Sequence, residues 1–399
     1  MTVMRTTEER CSGLYRGDEA MLHIENANIV LENGILQNGV LSAENGVITE
    51  IGTKETVKMP ENAEIIDVKG LYVGSGFVDI HNHGGDGYNF FDNPEKAAKY
   101  FLKHGETTVL ATSYTTYTKD EYLTAIEKIK TAMQADAKNI AGFYMEGPYL
   151  NPKYGAEPKM NKWRGEIKKE DYGQIVESAG ALAKVWAIAP EREGIEGFMS
   201  YVKSKNPDAV FAVAHSEATP EEIECLKEYG IKLQTHCMNA TGRVGESDGV
   251  RGAGPDEYCL LDDHMYAEMI CDSLGVHVPQ PLQRLILKVK GIDKIILITD
   301  SFATDAEAPK EYADVKDLSF DSEGGLSGSR LTMDAACRNF MRQTNSSMTE
   351  AFLAASRNPA RVIGMDSEIG TIEVGKKANL VIVDEEFNLH QVIFEGCLV

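Results

Sequence analysis

The sequence predicts an α/β protein: a (β/α)8 TIM barrel joined to a small β-sandwich domain built from both termini. Three observations carry that prediction. Eight short apolar runs alternate with longer amphipathic stretches over about 290 residues, the span of one barrel of eight β–α units. The residues able to do chemistry stand at the ends of those runs, where such a barrel places its active site. The two chain ends share a strand-and-turn style that the middle lacks. The predicted boundaries are residues 1–68 with 365–399 for the composite β domain, and 69–364 for the barrel.

From Met21 to Ile66 the chain reads as short strands around turns, with "ENG" occurring twice between alternating runs. The barrel runs follow. They are "LYVGSGFVDIHNH" (Leu71–His83), "TTVLAT" (Thr107–Thr112), "IAGFYMEG" (Ile140–Gly147) and "KVWAIAPE" (Lys184–Glu191). After these come "VFAVAHSE" (Val210–Glu217), "IKLQTHCMNA" (Ile231–Ala240), "AEMICDS" (Ala267–Ser273) and "IILITDS" (Ile295–Ser301). Between the fifth and sixth lies "TPEEIECLKEYG". Thr219 is its N-cap, Glu222 completes a capping box and Gly230 ends it. From Gly370 the chain returns to the strand-and-turn style.

A net charge of −22 argues against a nucleic-acid partner, because a phosphate backbone needs a basic face. No apolar run approaches the roughly 18 residues of a membrane helix. The first twenty residues hold no apolar signal core, so the expected location is cytoplasmic. Seven cysteines without CxxC spacing do not form a disulfide framework; they read as reduced and mostly buried.

The first barrel run ends in His81 and His83. Residues two apart on a strand point the same way, so the two imidazoles converge. Glu146 ends the third run, His215 the fifth, His236 the sixth and Asp300 the eighth. One such histidine is ordinarily structural; four with two carboxylates at one end of a barrel make a metal site. These donors suit Zn²⁺ and, less selectively, Fe²⁺, Co²⁺ or Mn²⁺. Asp300 is placed to take a proton from an attacking water and hand it to a leaving amine. The reaction class is metal-assisted hydrolysis of an amide or similar bond. His277 follows the seventh run on the active rim. His23, His104, His264 and His390 read as turn or helical residues without a role.

Several segments resemble the amidohydrolase superfamily, specifically the N-acetylglucosamine-6-phosphate deacetylases. They are "GFVDIHNHG", "YMEGPYLNP", "AHSEAT", "THCMNA", "LLDDHMYAEMI", "LITDS", "LSGSRLTMDAACRN" and "SRNPARVIG". The resemblance implies a metal-dependent barrel enzyme that releases acetate and glucosamine 6-phosphate, and usually a homodimer. It implies that Glu146, His215 and His236 hold the main metal. His81 and His83, with Glu146 as a bridge, form a second position, giving one or two ions per subunit. Asp300 matches the catalytic acid/base. Asn239, Ala240, His277, Leu326, Ser327 and Gly328 match substrate-contacting positions, as does the loop at Ala156 and Glu157. Enzymes built around a carboxylated lysine at the end of the fourth strand do not fit, since Lys184 stands at its start.

Three departures concern the substrate end. Where the family carries an arginine for phosphate, this chain reads "GESDG" (Gly245–Gly249), with Ser247 at that position and Arg243 and Arg251 nearby. The loop after Glu146 ends in Glu157 rather than a neutral donor. The "DGxHV" segment reads "LGVHV", with Leu274 in place of the aspartate. A deacylase of a different N-acylated sugar or amine is therefore the alternative. A catalytically dead binding protein, which would take up metal without turnover, is a third reading.

Overall fold

The computed structural model describes residues 21–242, 249–250 and 252–399. They divide into two compact units. One gathers the described residues up to Val78 with Phe101–Thr108 and Met333–Val399; the other gathers Asp79–Tyr100 and Val109–Thr332.

In the first unit, one eight-stranded sheet takes in both chain ends. Its order is Cys397–Leu398, Leu389–Phe394, Leu380–Val383, Tyr72–Ser75, Met21–Leu31, Gly34–Glu44, Val47–Thr53; Glu64–Asp67 also pairs with Met21–Leu31. The first two strands are eleven residues each, longer than the turn signals suggest. The second "ENG" makes a two-residue hairpin at Asn45 and Gly46, both at positive φ (52° and 80°). That is the conformation whose twist suits a hairpin. In the first "ENG" the glycine is already in the strand, paired with Leu31. Alternating Ile24, Ile29, Leu41, Ile48, Val73, Leu380, Ile382 and Ile393 build a continuous apolar core. His23 and His390 lie in strands of this sheet, not in turns or helices as the sequence reading has them.

"LYVGSGFVDIHNH" is two strands rather than one. Tyr72–Ser75 belongs to this sheet and Phe77–Asn82 to the barrel. The break falls at Gly76, whose N–H donates to Asn379 O, while that of Phe77 donates to Gly105 O. A Cβ at Gly76 would stand 2.2 Å from Thr107 Oγ1, so the crossing needs glycine.

The barrel strands are Phe77–Asn82, Glu106–Thr112, Ile140–Glu146, Ala183–Ile188, Val210–Val213, Ile231–Gln234, Tyr266–Ile270 and Ile295–Ile298. They neighbour one another in chain order, and the pairs from the second strand to the eighth are parallel. Each lies within its predicted run or one residue beyond it. The first and eighth meet where Asp300 N–H donates to His81 O at 2.9 Å and Thr299 Oγ1–H donates to Asp79 Oδ2 at 2.5 Å. The result is a nearly closed (β/α)8 barrel. The helix Pro220–Leu226 begins as expected. Glu222 N–H donates to Thr219 Oγ1 at 3.2 Å and Thr219 N–H donates to Glu222 Oε2 at 2.8 Å. Gly230 closes the following turn at φ 92°. Cys225, Cys237 and Cys259 are free thiols, the last two buried. No helix among those residues is long and apolar enough to cross a membrane.

Candidate metal centre

The strand-end residues converge. Glu146 His215 His236 and His81 His83 Glu146 each place their ligand atoms within 4.8 Å of one another, and all five are buried. Glu146 serves both groups with different oxygens. Its Oε1 is 2.8 Å from His215 Nε2 and 3.3 Å from His236 Nε2. Its Oε2 is 3.1 Å from His83 Nε2 and 3.6 Å from His81 Nε2. Asp300 Oδ1 joins the second group, 3.3 Å from His83 Nε2 and 3.5 Å from His81 Nε2.

These distances suit a cation better than a hydrogen-bond network. Four donors about 2.0–2.1 Å from a tetrahedral Zn²⁺ stand about 3.3–3.4 Å apart. His215 Nε2 and His236 Nε2 are 3.2 Å apart, two imidazole nitrogens aimed at one point. His81 Nε2 is buried with no hydrogen-bond partner. The donor set, imidazole and carboxylate, is that of a divalent-metal hydrolase.

Electrostatics agree. Burial would raise the Glu146 carboxyl, but the charge of His81 and the hydrogen bonds of His215 and His236 outweigh it and hold Glu146 well below the usual carboxylate range. Asp300 is held low against burial by His81 and His83. Burial opposes charge on His81, yet Glu146 and Asp300 draw it well above an ordinary imidazole. At His215 burial prevails and lowers it. Both carboxylates stay ionised and pull positive charge in among the imidazoles.

The backbone contributes a feature that the sequence does not announce. His215 (φ 43°), His236 (φ 27°) and Asp300 (φ 47°) all adopt left-handed conformations. Each stands two residues beyond the end of its strand, and the sharp turn swings its side chain toward the shared point. Non-glycine residues occupy this region at a cost and cluster at functional sites.

A cavity of about 240 Å³ opens over the centre, small enough to suit a single-sugar ligand. Ala156, Glu157, Asn239, Ala240, His277, Leu326, Ser327 and Gly328 all line it, together with His83, Glu146, His215, His236 and Asp300. Glu157 sits there with its backbone left-handed (φ 47°), as the N-cap of the single turn Pro158–Met160, with no capping hydrogen bond. His277 has both ring nitrogens engaged, Nδ1 with Asp272 Oδ2 at 3.0 Å and Nε2 with Gly328 O at 2.9 Å. Asp272 also accepts from the N–H groups of Leu274, Val276 and His277. Despite burial, these contacts hold its carboxyl low. The aspartate is therefore not replaced by Leu274, which is 56% exposed. It stands five residues before His277 instead of three.

Sequence reasoning misses Tyr114, Thr116, Gly155 and Phe302 in the cavity wall. The Tyr114 hydroxyl donates to Ala156 O at 2.9 Å, and Phe302 stands edge-on to His83 with ring centroids 5.6 Å apart. Gly155 is required there, because a Cβ would stand 2.7 Å from both His215 Nδ1 and the Tyr114 hydroxyl. No lysine or arginine among the described residues lines the cavity. Gly245–Asp248, including Glu246, Ser247 and Asp248, lie outside the described residues, as do Arg243 and Arg251.

Known proteins are similar to this chain in sequence and in fold. The amidohydrolase family model matches residues 72–399. An N-acetylglucosamine-6-phosphate deacetylase of Vibrio furnissii is 30% identical over 379 residues, 89% of each chain. An N-acetylgalactosamine-6-phosphate deacetylase of Escherichia coli O157:H7 is 28% identical, over 95% of this chain and 99% of that protein. The crystal structure of the N-acetylglucosamine-6-phosphate deacetylase from Pasteurella multocida superposes with a TM-score of 0.83 at 26% identity. It covers 95% of this chain and 99% of its own.

Proposed function

The chain belongs to the amidohydrolase family, and from that premise we propose that it removes the acetyl group of N-acetylglucosamine 6-phosphate, giving glucosamine 6-phosphate and acetate. It is a metal-dependent carbon–nitrogen hydrolase, and its cofactor is a divalent cation. Within this reading the ion is Zn²⁺, held by Glu146, His215 and His236, with His81, His83 and Asp300 framing a second position. The enzyme is a cytoplasmic homodimer acting on a small amino sugar, with no nucleic-acid or membrane partner.

The observation that carries the reading is the position of Asp300. Its Oδ1 lies beside both histidine nitrogens of one ligand group, and its side chain forms part of the cavity floor. A divalent cation held by Glu146, His215 and His236 would polarise the acyl carbonyl and lower the pKa of water. Asp300, held ionised, takes the proton of the attacking water and returns it to the sugar nitrogen as the C–N bond breaks. Asn239, Ala240 and the Leu326–Gly328 segment form the wall against which the sugar packs, while Ala156 and Glu157 face it from the loop after the third strand.

A specific observation supports a second reading. Glu157 lines the cavity, where a carboxylate is an unusual neighbour for a phosphate dianion, and one relative is named for the galactosamine isomer. Acetate release from N-acetylglucosamine, N-acetylgalactosamine and their 6-phosphates separates the two. Preference for N-acetylglucosamine 6-phosphate supports the proposal. Preference for the galactosamine phosphate changes the sugar. Turnover of unphosphorylated sugars alone overturns the phosphate assignment.

A further inference from the structure

The candidate ligand histidines differ in what stands behind them. His236 Nδ1 meets the backbone carbonyl of Asn239 at 3.1 Å. His215 Nδ1 is buried without a partner. His81 is backed by a carboxylate, with Nδ1 3.3 Å from Glu268 Oε2. Glu268 stands on the seventh barrel strand and is wholly buried. Its Oε2 also lies 3.4 Å from the Tyr144 hydroxyl and 3.4 Å from the backbone nitrogen of His236. Tyr144 is anchored by Thr235 Oγ1 at 2.7 Å, and its ring lies 4.4 Å from that of His81, centroid to centroid.

An ionised carboxylate offers acceptors only. Facing Glu268, Nδ1 of His81 carries a proton, which leaves Nε2 as the nitrogen that would ligate a cation held between Glu146 and Asp300. A carboxylate behind a ligating imidazole fixes its ring and raises its basicity. Glu146, Glu268 and Asp300 also put three carboxylates among four histidines, and buried carboxylates call for positive charge.

We propose that Glu268 is a positioning residue for His81: it fixes the tautomer and orientation of the ring, so that the position framed by His81, His83, Glu146 and Asp300 keeps its own divalent cation. Glu268 then bears on the second ion, and not on the one at Glu146, His215 and His236. This inference rests on the metal-dependent reading above but on no particular substrate.

The test is metal binding. Wild type and Glu268→Gln are equilibrated with Zn²⁺ at buffered free concentrations and their bound metal is measured; Co²⁺-loaded samples are compared by absorption spectroscopy. Wild type is expected to bind two ions per chain. Glu268→Gln is expected to hold one with unchanged affinity and to weaken the other by about 10–100-fold. The Co²⁺ bands of the retained ion should be unaltered. If Glu268→Gln fails to fold, Glu268→Asp carries the same test, with selective weakening of one ion expected. Wild type binding a single ion overturns the proposal, as does a folded variant that keeps both affinities or loses both equally. Acetate release plays no part in these readings, so a wrong substrate leaves them intact.

Discussion

His23 and His81 are both buried strand histidines, one in the terminal sheet and one in the barrel, and their surroundings drive them in opposite directions. His23 is 3% exposed and pairs with Ser42 Oγ at 2.9 Å. Burial holds its pKa below the ordinary value, with Glu25 and Glu50 pulling the other way without prevailing. His81 is more buried still, yet Glu146 and Asp300 lift it well above that value. Burial alone makes a histidine a neutral structural group. Burial among carboxylates makes it a receptor for positive charge. The two units divide on the same line: an apolar sheet core in one and a charged barrel mouth in the other.

The sharpest break of that contrast is Asp300→Asn. It is expected to lower kcat by about 10³-fold or more, since it removes the proton carrier, while the chain stays folded and metal-bound. Steady-state kinetics with metal analysis check this; near wild-type turnover would remove Asp300 from the chemistry. A milder break lies in the other unit. Ile24→Ala opens the sheet core at a fully buried position and is expected to destabilise by about 2–5 kcal/mol in denaturant titration. Metal content and kcat of the folded protein should not change. The smallest effect is the pH response of His23. Its folded pKa lies below the unfolded 6.5, so its contribution is intact above pH 6.5 and is lost as pH falls toward the folded value. Stability measured from pH 7.5 downward should fall less steeply below 6.5 in His23→Gln than in wild type. An identical slope would mean that His23 is not held neutral by its burial.

Much of the barrel mouth is legible in the sequence because two rules act locally. Strand alternation puts His81 and His83 on one side, and barrel architecture puts Glu146, His215, His236 and Asp300 at one end. What stays hidden depends on the register between strands. Glu268 is readable as a carboxylate inside the apolar strand of "AEMICDS", but nothing local says that it reaches His81, which is 187 positions away. Tyr114 and Phe302 enter the cavity from loops whose course the sequence does not dictate. The aspartate partner of His277 is missed because spacing is read too rigidly: the loop admits two more residues and still returns Asp272 to the same imidazole. In the terminal sheet, the alternating core is legible, but the break at Gly76 is not, because the requirement for glycine comes from Thr107 across the fold.

The left-handed backbone at His215, His236 and Asp300 sets the barrel's stability against its activity. Each position is one where glycine would sit without strain, so His215→Gly or Asp300→Gly recovers part of the roughly 1–3 kcal/mol such a conformation costs while deleting a functional group. At His215 and His236 that gain is set against the loss of the imidazoles beside the buried Glu146 carboxylate, so backbone strain and buried charge pull in opposite directions at the same corners.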